Sequence, residues 1–548
     1  MAVPHECDNY KQTKPLSGKS PCTGQYRLGE LDRAMQDLHR RYGRLARLGG
    51  LLGHPDLLFV FDPDIIEQVF RAEDALLPRR PAMPSIHYYK RTLRADFFGE
   101  TPGVIGMGVD IHSSVHLSLY KKKVRNSLKN SHQFLSSERA YGNSQICNHG
   151  ELWNAFRTQV NKVMLAADAA KNFTAELDAV AADFVSRLGA MRDEKNELPD
   201  DFINELYRWS LESLGAAALG TRLGCVRPRG QEDLGEEDQD PSTERLLAAV
   251  RTFFETVAVV ELRKPYARWL RTREWKRYVS ALDVFREECM RRLDGAAVAV
   301  DGRRALLRQV LERTANPRLT AVLAMDLMLV GLDTSSVSTA TVLYLLARHP
   351  RAQDRLLREL HGLLPGPDSP LDTAATESMH YLRACVREAL RMFPVIIGNG
   401  RCLSRDTVIG GHLVPRGVHV IFPHLVTGND PANGFPDPHL FQPERWLHRP
   451  GPGSRPEEMC PVQRAAGARH AFASVPFGFG RRMCLGRRLA EHQLLILLAR
   501  IVRRYRVEYH YDDFQYEITP VYAPKNPLKF RLVERRDDDD DVNFKTNV

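Results

Sequence analysis

The sequence predicts a mainly α-helical fold with a smaller β region. Three observations carry this. From about Ala166 to Leu360, apolar residues recur three and four apart, the period of helices with one buried face. Inside that stretch lies one unusually long helix signal, opened by Asn316-Pro317 and stopped by Pro350. Strand-like apolar runs are short, as at Leu57–Phe61.

In chain order, an amphipathic helix is expected from Leu28, then short strands around Leu57–Phe61, then helices. Residues 108–148 are rich in Ser, Lys, Asn and His and show no steady period. They carry six basic residues against two acidic ones, nearly half of the net +9 of the chain. No aromatic stacking platform accompanies them, so they read as a solvated basic loop and not as a nucleic-acid reader. Residues 226–244, acidic and turn-rich, read as a surface loop between helices. Asn316 is a favoured N-cap and Pro317 suits the first turn. The helix they open should run to His349, about 33 residues or about 50 Å. Gly331 near its middle costs about 1 kcal/mol against alanine, so a local reason for it is expected. Residues 449–470, with Pro-Gly-Pro-Gly, read as a long loop. Asp537–Asp541 are five like charges in a row, and residues 537–548 read as an acidic disordered tail.

The 548 residues are 43% hydrophobic and 26% charged, which excludes collagen, wholesale disorder and disulfide scaffolds. A net charge of +9 suits an acidic partner, an anionic membrane surface or nucleic acid. No apolar run is long enough to span a bilayer, which leaves peripheral attachment open. The first 30 residues lack the apolar core of a secretory signal. They mix Lys11, Lys14, Lys19 and Arg27 with Glu6, Asp8 and Glu30, a weak import peptide. Nine cysteines with no C-x-x-C spacing argue against zinc ribbons and paired disulfides. Mostly inert, buried thiols in a reducing compartment are expected.

One cysteine stands apart. Phe477-Gly478-Phe479-Gly480-Arg481-Arg482-Met483-Cys484-Leu485-Gly486 ends where a helical pattern begins. Glycines let the backbone turn tightly and approach a flat ligand closely. A cysteine just before a helix N-terminus feels the positive end of its dipole, which favours the metal-binding thiolate. Arg482 offers a fork of donors for an anionic group.

This segment resembles the haem-binding loop F-x-x-G-x-R-x-C-x-G of the cytochrome P-450 family. Three more strings resemble family motifs, in the family's order. Glu388-Ala389-Leu390-Arg391 is similar to the E-x-x-R helix, Pro443-Glu444-Arg445-Trp446 to the P-E-R-F/W loop, and Gly331-Leu332-Asp333-Thr334-Ser335 to the oxygen-activating motif of the long central helix. The resemblance covers roughly residues 25–535. It implies a cytochrome P-450 fold, with haem between the long central helix and the cysteine loop. Residues 25–536 would form the catalytic domain after an atypical segment, 1–24. The cofactor would be haem b, iron protoporphyrin IX, with Cys484 as axial thiolate. Phe477, Arg482, Trp153, Arg157 and Arg401 would bind the haem, the arginines and Trp153 through its propionates. Thr334 would hydrogen-bond the oxygen being activated while Asp333 helps relay protons; a hydroxyl bonded to the carbonyl four residues back is the plainer reading of Thr334. Glu388, Arg391 and Arg445 would form a buried ion network.

Arg383 and Arg387 resemble the basic pair by which mitochondrial members dock a ferredoxin of the adrenodoxin type, and Arg487-Arg488 is also similar to that branch; Ile397-Gly398-Asn399-Gly400-Arg401 and Arg222-Leu223-Gly224-Cys225 resemble insect mitochondrial members. The resemblance therefore implies a mitochondrial monooxygenase, peripheral on the matrix side of the inner membrane. It would hydroxylate a lipophilic, steroid-like or xenobiotic substrate with O2 and ferredoxin electrons, and bind no nucleic acid. Phe253, Phe254, Val395, Ile396 and Ile518 are candidates for the pocket lining. The sequence departs from the family pattern where residues 108–148 intervene, either a lineage-specific loop or translated non-coding sequence. A non-redox haem-thiolate isomerase or dehydratase, and an inactive haem or lipid binder, are the alternatives.

Overall fold

The computed structural model describes residues 30–49, 56–72, 84–99, 101, 150–226, 241–263, 270–298, 305–447, 470–518 and 521–535. The expectations for residues 1–24, 108–148 and 537–548, and most of those for 226–244 and 449–470, lie outside this set. Where the set reaches into 226–244, it corrects the loop: Pro241–Ala258 is a helix that starts at a proline, whose missing N–H costs nothing in a first turn.

Helices dominate, and the β region is small. Its largest sheet has four strands: β1 (Leu45–Leu48), β2 (Leu57–Val60), β3 (Asn399–Cys402) and β6 (His419–Phe422), the hairpin β4 (Thr407–Ile409) and β5 (His412–Val414) lying between the last two in sequence. Their spatial order is β1-β2-β6-β3. β2 runs parallel to β6, with Leu57 opposite His419, and β3 runs antiparallel to β6, with Asn399 opposite Phe422. This sheet brings residues 45–60 against the segment that follows the E-x-x-R helix.

The long helix spans Pro317–Arg348, one residue short of the expected end, and Asn316 caps it by accepting from Leu319 N at 3.0 Å. Among the described residues it is the one helix long and apolar enough to cross a membrane, yet most of it is buried as the central post of the core. The helix Phe202–Leu214 packs along it. Gly331 owes its place to that contact: a Cβ there would meet Leu214 Cδ1 at 3.3 Å. Helical structure continues unbroken through Gly331. Two further helices complete the frame of the site, Gly150–Met164 and Arg487–Arg504.

Glu388 is the hub that joins the E-x-x-R helix, His380–Met392, to the turn Pro443–Trp446. Its carboxylate takes both arms of a fork from Arg391, Nε at 2.9 Å and Nη2 at 2.8 Å. It also accepts from Arg445 Nε at 3.1 Å and from Trp446 Nε1 at 2.7 Å. The side chains of Glu388, Arg391 and Arg445 have no solvent exposure. Charges so buried depend on one another, and removal of one leaves the rest uncompensated. Replacement of Glu388 by alanine should therefore cost about 3–5 kcal/mol, read as a lower urea midpoint at unchanged slope; a loss below about 1 kcal/mol, the worth of an exposed pair, would show that the triad is not a hub.

Candidate active site

The cysteine loop folds because two of its residues can enter the left-handed region. Gly478 has φ +68° and Gly480 φ +70°, conformations that side chains resist. The turn closes with Cys484 N donating to Phe477 O at 2.8 Å and Met483 N to Gly480 O at 3.0 Å. Gly486 then caps the helix Arg487–Arg504.

Above the loop lies a cavity with mainly apolar walls. One side is a single stripe of the central helix: Asp326, Leu327, Val330, Gly331, Thr334, Ser335 and Ser338. The other is the loop and the start of the following helix, including Phe477, Arg482, Cys484 and Ala490. Val395 and Ile396 close one end, as expected. The other lining candidates lie elsewhere. Phe253 packs its ring against Tyr278 at 5.7 Å with Phe254 beside it, and Ile518 sits with Tyr522 in a separate core cluster.

The cavity suits haem. Among the described residues no three His, Cys, Asp or Glu side chains gather to hold a bare ion. A single thiol facing an apolar slot matches a metal that brings its own macrocycle. Burial pushes the Cys484 thiol up, against the Gly486 N–H and the Arg157 charge, which pull it down. The dipole argument made from sequence is thus outweighed by desolvation, and the thiolate needs a nearby cation such as iron to persist. Arg482 supplies positive charge inside the cavity for an anionic edge of the ligand.

Trp153, Arg157 and Arg401 of the expected haem set are not part of the cavity wall. Trp153 is buried, with the Arg482 guanidinium 3.4 Å from its ring centroid. Arg157 is also buried, and its bonds go to the loop: Nε and Nη2 to Arg481 O at 3.2 and 2.9 Å, and Nη2 to Met483 O at 2.8 Å. These contacts brace the loop on both sides of Arg482. Burial pushes Arg157 down to about 10. Arg401 is buried on β3, over the Phe70 ring at 4.9 Å, and its Nη1 donates to Gly400 O. Phe477 lines the cavity beneath the Arg487 guanidinium.

Thr334 lines the cavity while its hydroxyl donates to Val330 O at 2.9 Å, which is the plainer reading of that residue. Asp333 is not part of the cavity wall. Its carboxyl accepts from Tyr207 Oη at 2.6 Å, on the side facing the helix Phe202–Leu214, and burial pushes it up to about 6. Sequence reasoning missed Tyr207, and it missed Asn399, which lines the cavity and bonds His424 at 2.9 Å. Burial and Arg401 hold that histidine down to about 3, hence neutral. An Asn two residues before Arg401 on a strand was the available signal, since alternate residues share a face.

The four basic residues of the expected docking face differ in kind. Arg387 and Arg488 are exposed. Arg383 is half-buried and donates to Thr376 O at 2.8 Å, and Arg487 pairs with Glu491 at 3.2 Å. Arg383 also feels the charge of Glu491, which brings the two helices' basic residues into one neighbourhood.

A mainly helical fold with one cavity-facing cysteine and a threonine across from it defines a haem-thiolate monooxygenase. The cytochrome P-450 family model matches residues 95–531, and the chain belongs to that family, whose members bind haem b through a cysteine thiolate. Among curated relatives, probable cytochrome P-450 49a1 of Drosophila melanogaster is 41% identical over 95% of this chain and 81% of its own. Probable cytochrome P-450 301a1, mitochondrial, of the same species is 36% identical over 93% of this chain and 83% of its own. Cytochrome P-450 CYP12A2 of Musca domestica is 28% identical over 96% and 92%.

Replacement of Arg157 by leucine should free the loop carbonyls and speed haem transfer to apomyoglobin by about tenfold, the scale of losing about 1.4 kcal/mol of hydrogen bonding to a charged group. An unchanged transfer rate would remove Arg157 from the loop's supports.

Proposed function

We propose that residues 25–536 form the catalytic domain of a mitochondrial monooxygenase that hydroxylates a lipophilic, steroid-like or xenobiotic substrate. Its electrons come from a ferredoxin of the adrenodoxin type, and it sits peripherally on the matrix side of the inner membrane. The observation that carries the reading is the pairing of Cys484 and Thr334 on opposite walls of one apolar cavity. The haem, held by the thiolate, supplies oxygen activation and electron storage.

The chain's own residues do the rest. Cys484 would hold the haem iron through its thiolate and supply sulfur electron density to it. Gly331, Val330 and Leu327 on one wall and Val395 and Ile396 at one end keep water out and favour an apolar substrate. Thr334 holds its proton on Val330 O and can turn it toward the cavity. Arg482 would pair with an anionic group of the cofactor, and Arg157 and Trp153 fix the loop and that guanidinium. Support for the mitochondrial setting comes from relatives that carry it in their names and from the basic neighbourhood around Arg387 and Arg488, which would steer an acidic partner.

Two measurements test this. The reduced protein with carbon monoxide should show the thiolate-type absorption band, and Cys484→Ala should lose it; a band that survives the substitution overturns the reading. For docking, Arg387→Glu with Arg488→Glu should slow reduction by an adrenodoxin-type ferredoxin about tenfold or more at low salt, with the carbon monoxide band unchanged. Reduction at the parental rate would sink the docking face. Arg383 is left intact because its bond to Thr376 gives it a structural duty.

A further inference from the structure

Along the stripe that the central helix gives to the cavity, every residue but one is apolar or carries a hydroxyl. The exception is Asp326. Its side chain has 1% solvent exposure, and its partner is Lys90, whose Nζ stands 3.3 Å from Oδ1. Lys90 belongs to the short helical turn Tyr89–Leu93, and its ammonium also lies 5.2 Å from the Phe98 ring centroid. At 16% exposure the lysine side chain is itself largely out of water. Such a pair is a poor way to fill an apolar wall, since both charges give up their hydration. Its position is informative. Asp326, Val330 and Thr334 follow at intervals of four, along one side of the helix. Asp326 stands about 12 Å along the axis from Thr334, with Leu327 and Val330 of the wall between them. The cavity thus has a reacting end, at Cys484 and Thr334, and a charged end, at Asp326.

We propose that the Asp326–Lys90 pair anchors the polar end of the substrate, an otherwise apolar molecule with one neutral O–H or N–H donor, oxidised about 12 Å from that donor. This rests on the haem-thiolate reading and narrows its lipophilic substrate to one class. A carboxylate offers several acceptor sites, and Lys90 approaches one oxygen. A ligand donor and the lysine therefore need not compete. The pair carries no net charge. A cationic ligand would have to displace Lys90, and an anionic one would meet the carboxylate, so both lose to a neutral donor. Leu327 and Val330 then cover the apolar body between the two ends. Asp326 takes no part in the chemical step. It fixes which end of the substrate faces Thr334.

The test needs neither the natural substrate nor a redox partner. Ferric, haem-loaded protein is titrated with 1-decanol, decyl methyl ether, decanoate and decyltrimethylammonium, and the haem absorption band is followed. An apolar end that displaces water from the iron moves that band to shorter wavelength, whereas a hydroxyl on the iron moves it to longer. The parent should bind decanol about tenfold more tightly than the ether, the scale of one hydrogen bond to a charged group, with the shift to shorter wavelength and with both charged probes weaker. Asp326→Leu should bring alcohol and ether to the same affinity by weakening the alcohol alone. Where the leucine variant does not fold, Asp326→Asn, which keeps shape and an acceptor, should reduce the preference. Lys90→Met, which removes this cation from the carboxylate, should turn the preference toward decyltrimethylammonium. Equal affinities in the parent, or a decanol shift to longer wavelength, overturn the anchor. A preference that survives both Asp326 variants shows that the pair only ties the turn at Lys90 to the central helix. The carbon monoxide band is recorded first for every protein. A parent without it defeats the haem-thiolate reading itself, before any titration begins.

Discussion

Everything in this molecule serves to hold one sulfur against an apolar slot and keep it able to bear charge. A thiolate in an apolar slot is unfavourable by itself, and burial pushes the Cys484 thiol up for that reason. The fold answers with a loop that cannot relax. Gly478 and Gly480 make the turn, Arg157 holds two of its carbonyls, and Trp153 backs Arg482. The cation that makes the thiolate stable then arrives with the cofactor. Loop geometry and cofactor chemistry are therefore two halves of one constraint.

The central helix meets that loop with a single stripe of side chains. Its cavity-facing positions, from Asp326 through Ser338, recur three and four apart. The opposite faces are committed to other work: Gly331 also admits Leu214, and Asp333 reaches for Tyr207. Two neighbours in sequence, Asp333 and Thr334, so belong to different environments, one an acid in a polar contact and one a hydroxyl in a dry wall. The hub at Glu388 ties the E-x-x-R helix to the turn at Pro443. It stabilises the half of the core from which Val395, Ile396 and Asn399 enter the cavity.

Much of this was legible in the sequence. The length of the central helix followed from Asn316, Pro317 and Pro350, and its cap has the expected bond. Glu388 and Arg391 at helical spacing announced their pairing, and the loop announced its cysteine. Arg157 was legible as a residue that would matter but not in what it would hold, because a guanidinium offers donors to any carbonyl or carboxylate in reach. Phe253, Phe254 and Ile518 were misplaced for a similar reason: an apolar residue looks the same whether it lines a cavity or fills a core. Tyr207 was invisible, since its partner lies 126 residues away.

The sequence by itself determined the local things: caps, turns, helix periods, and a cysteine set among glycines. These depend on residues within one or two turns of each other, so order along the chain contains them. Only the tertiary structure decided which face of the central helix looks at the cysteine, which arginines reach the cavity and which brace it, and where Asp333 points. Those outcomes depend on how helices rotate against one another, and a rotation of one residue, about 100°, exchanges a cavity wall for a packed interface.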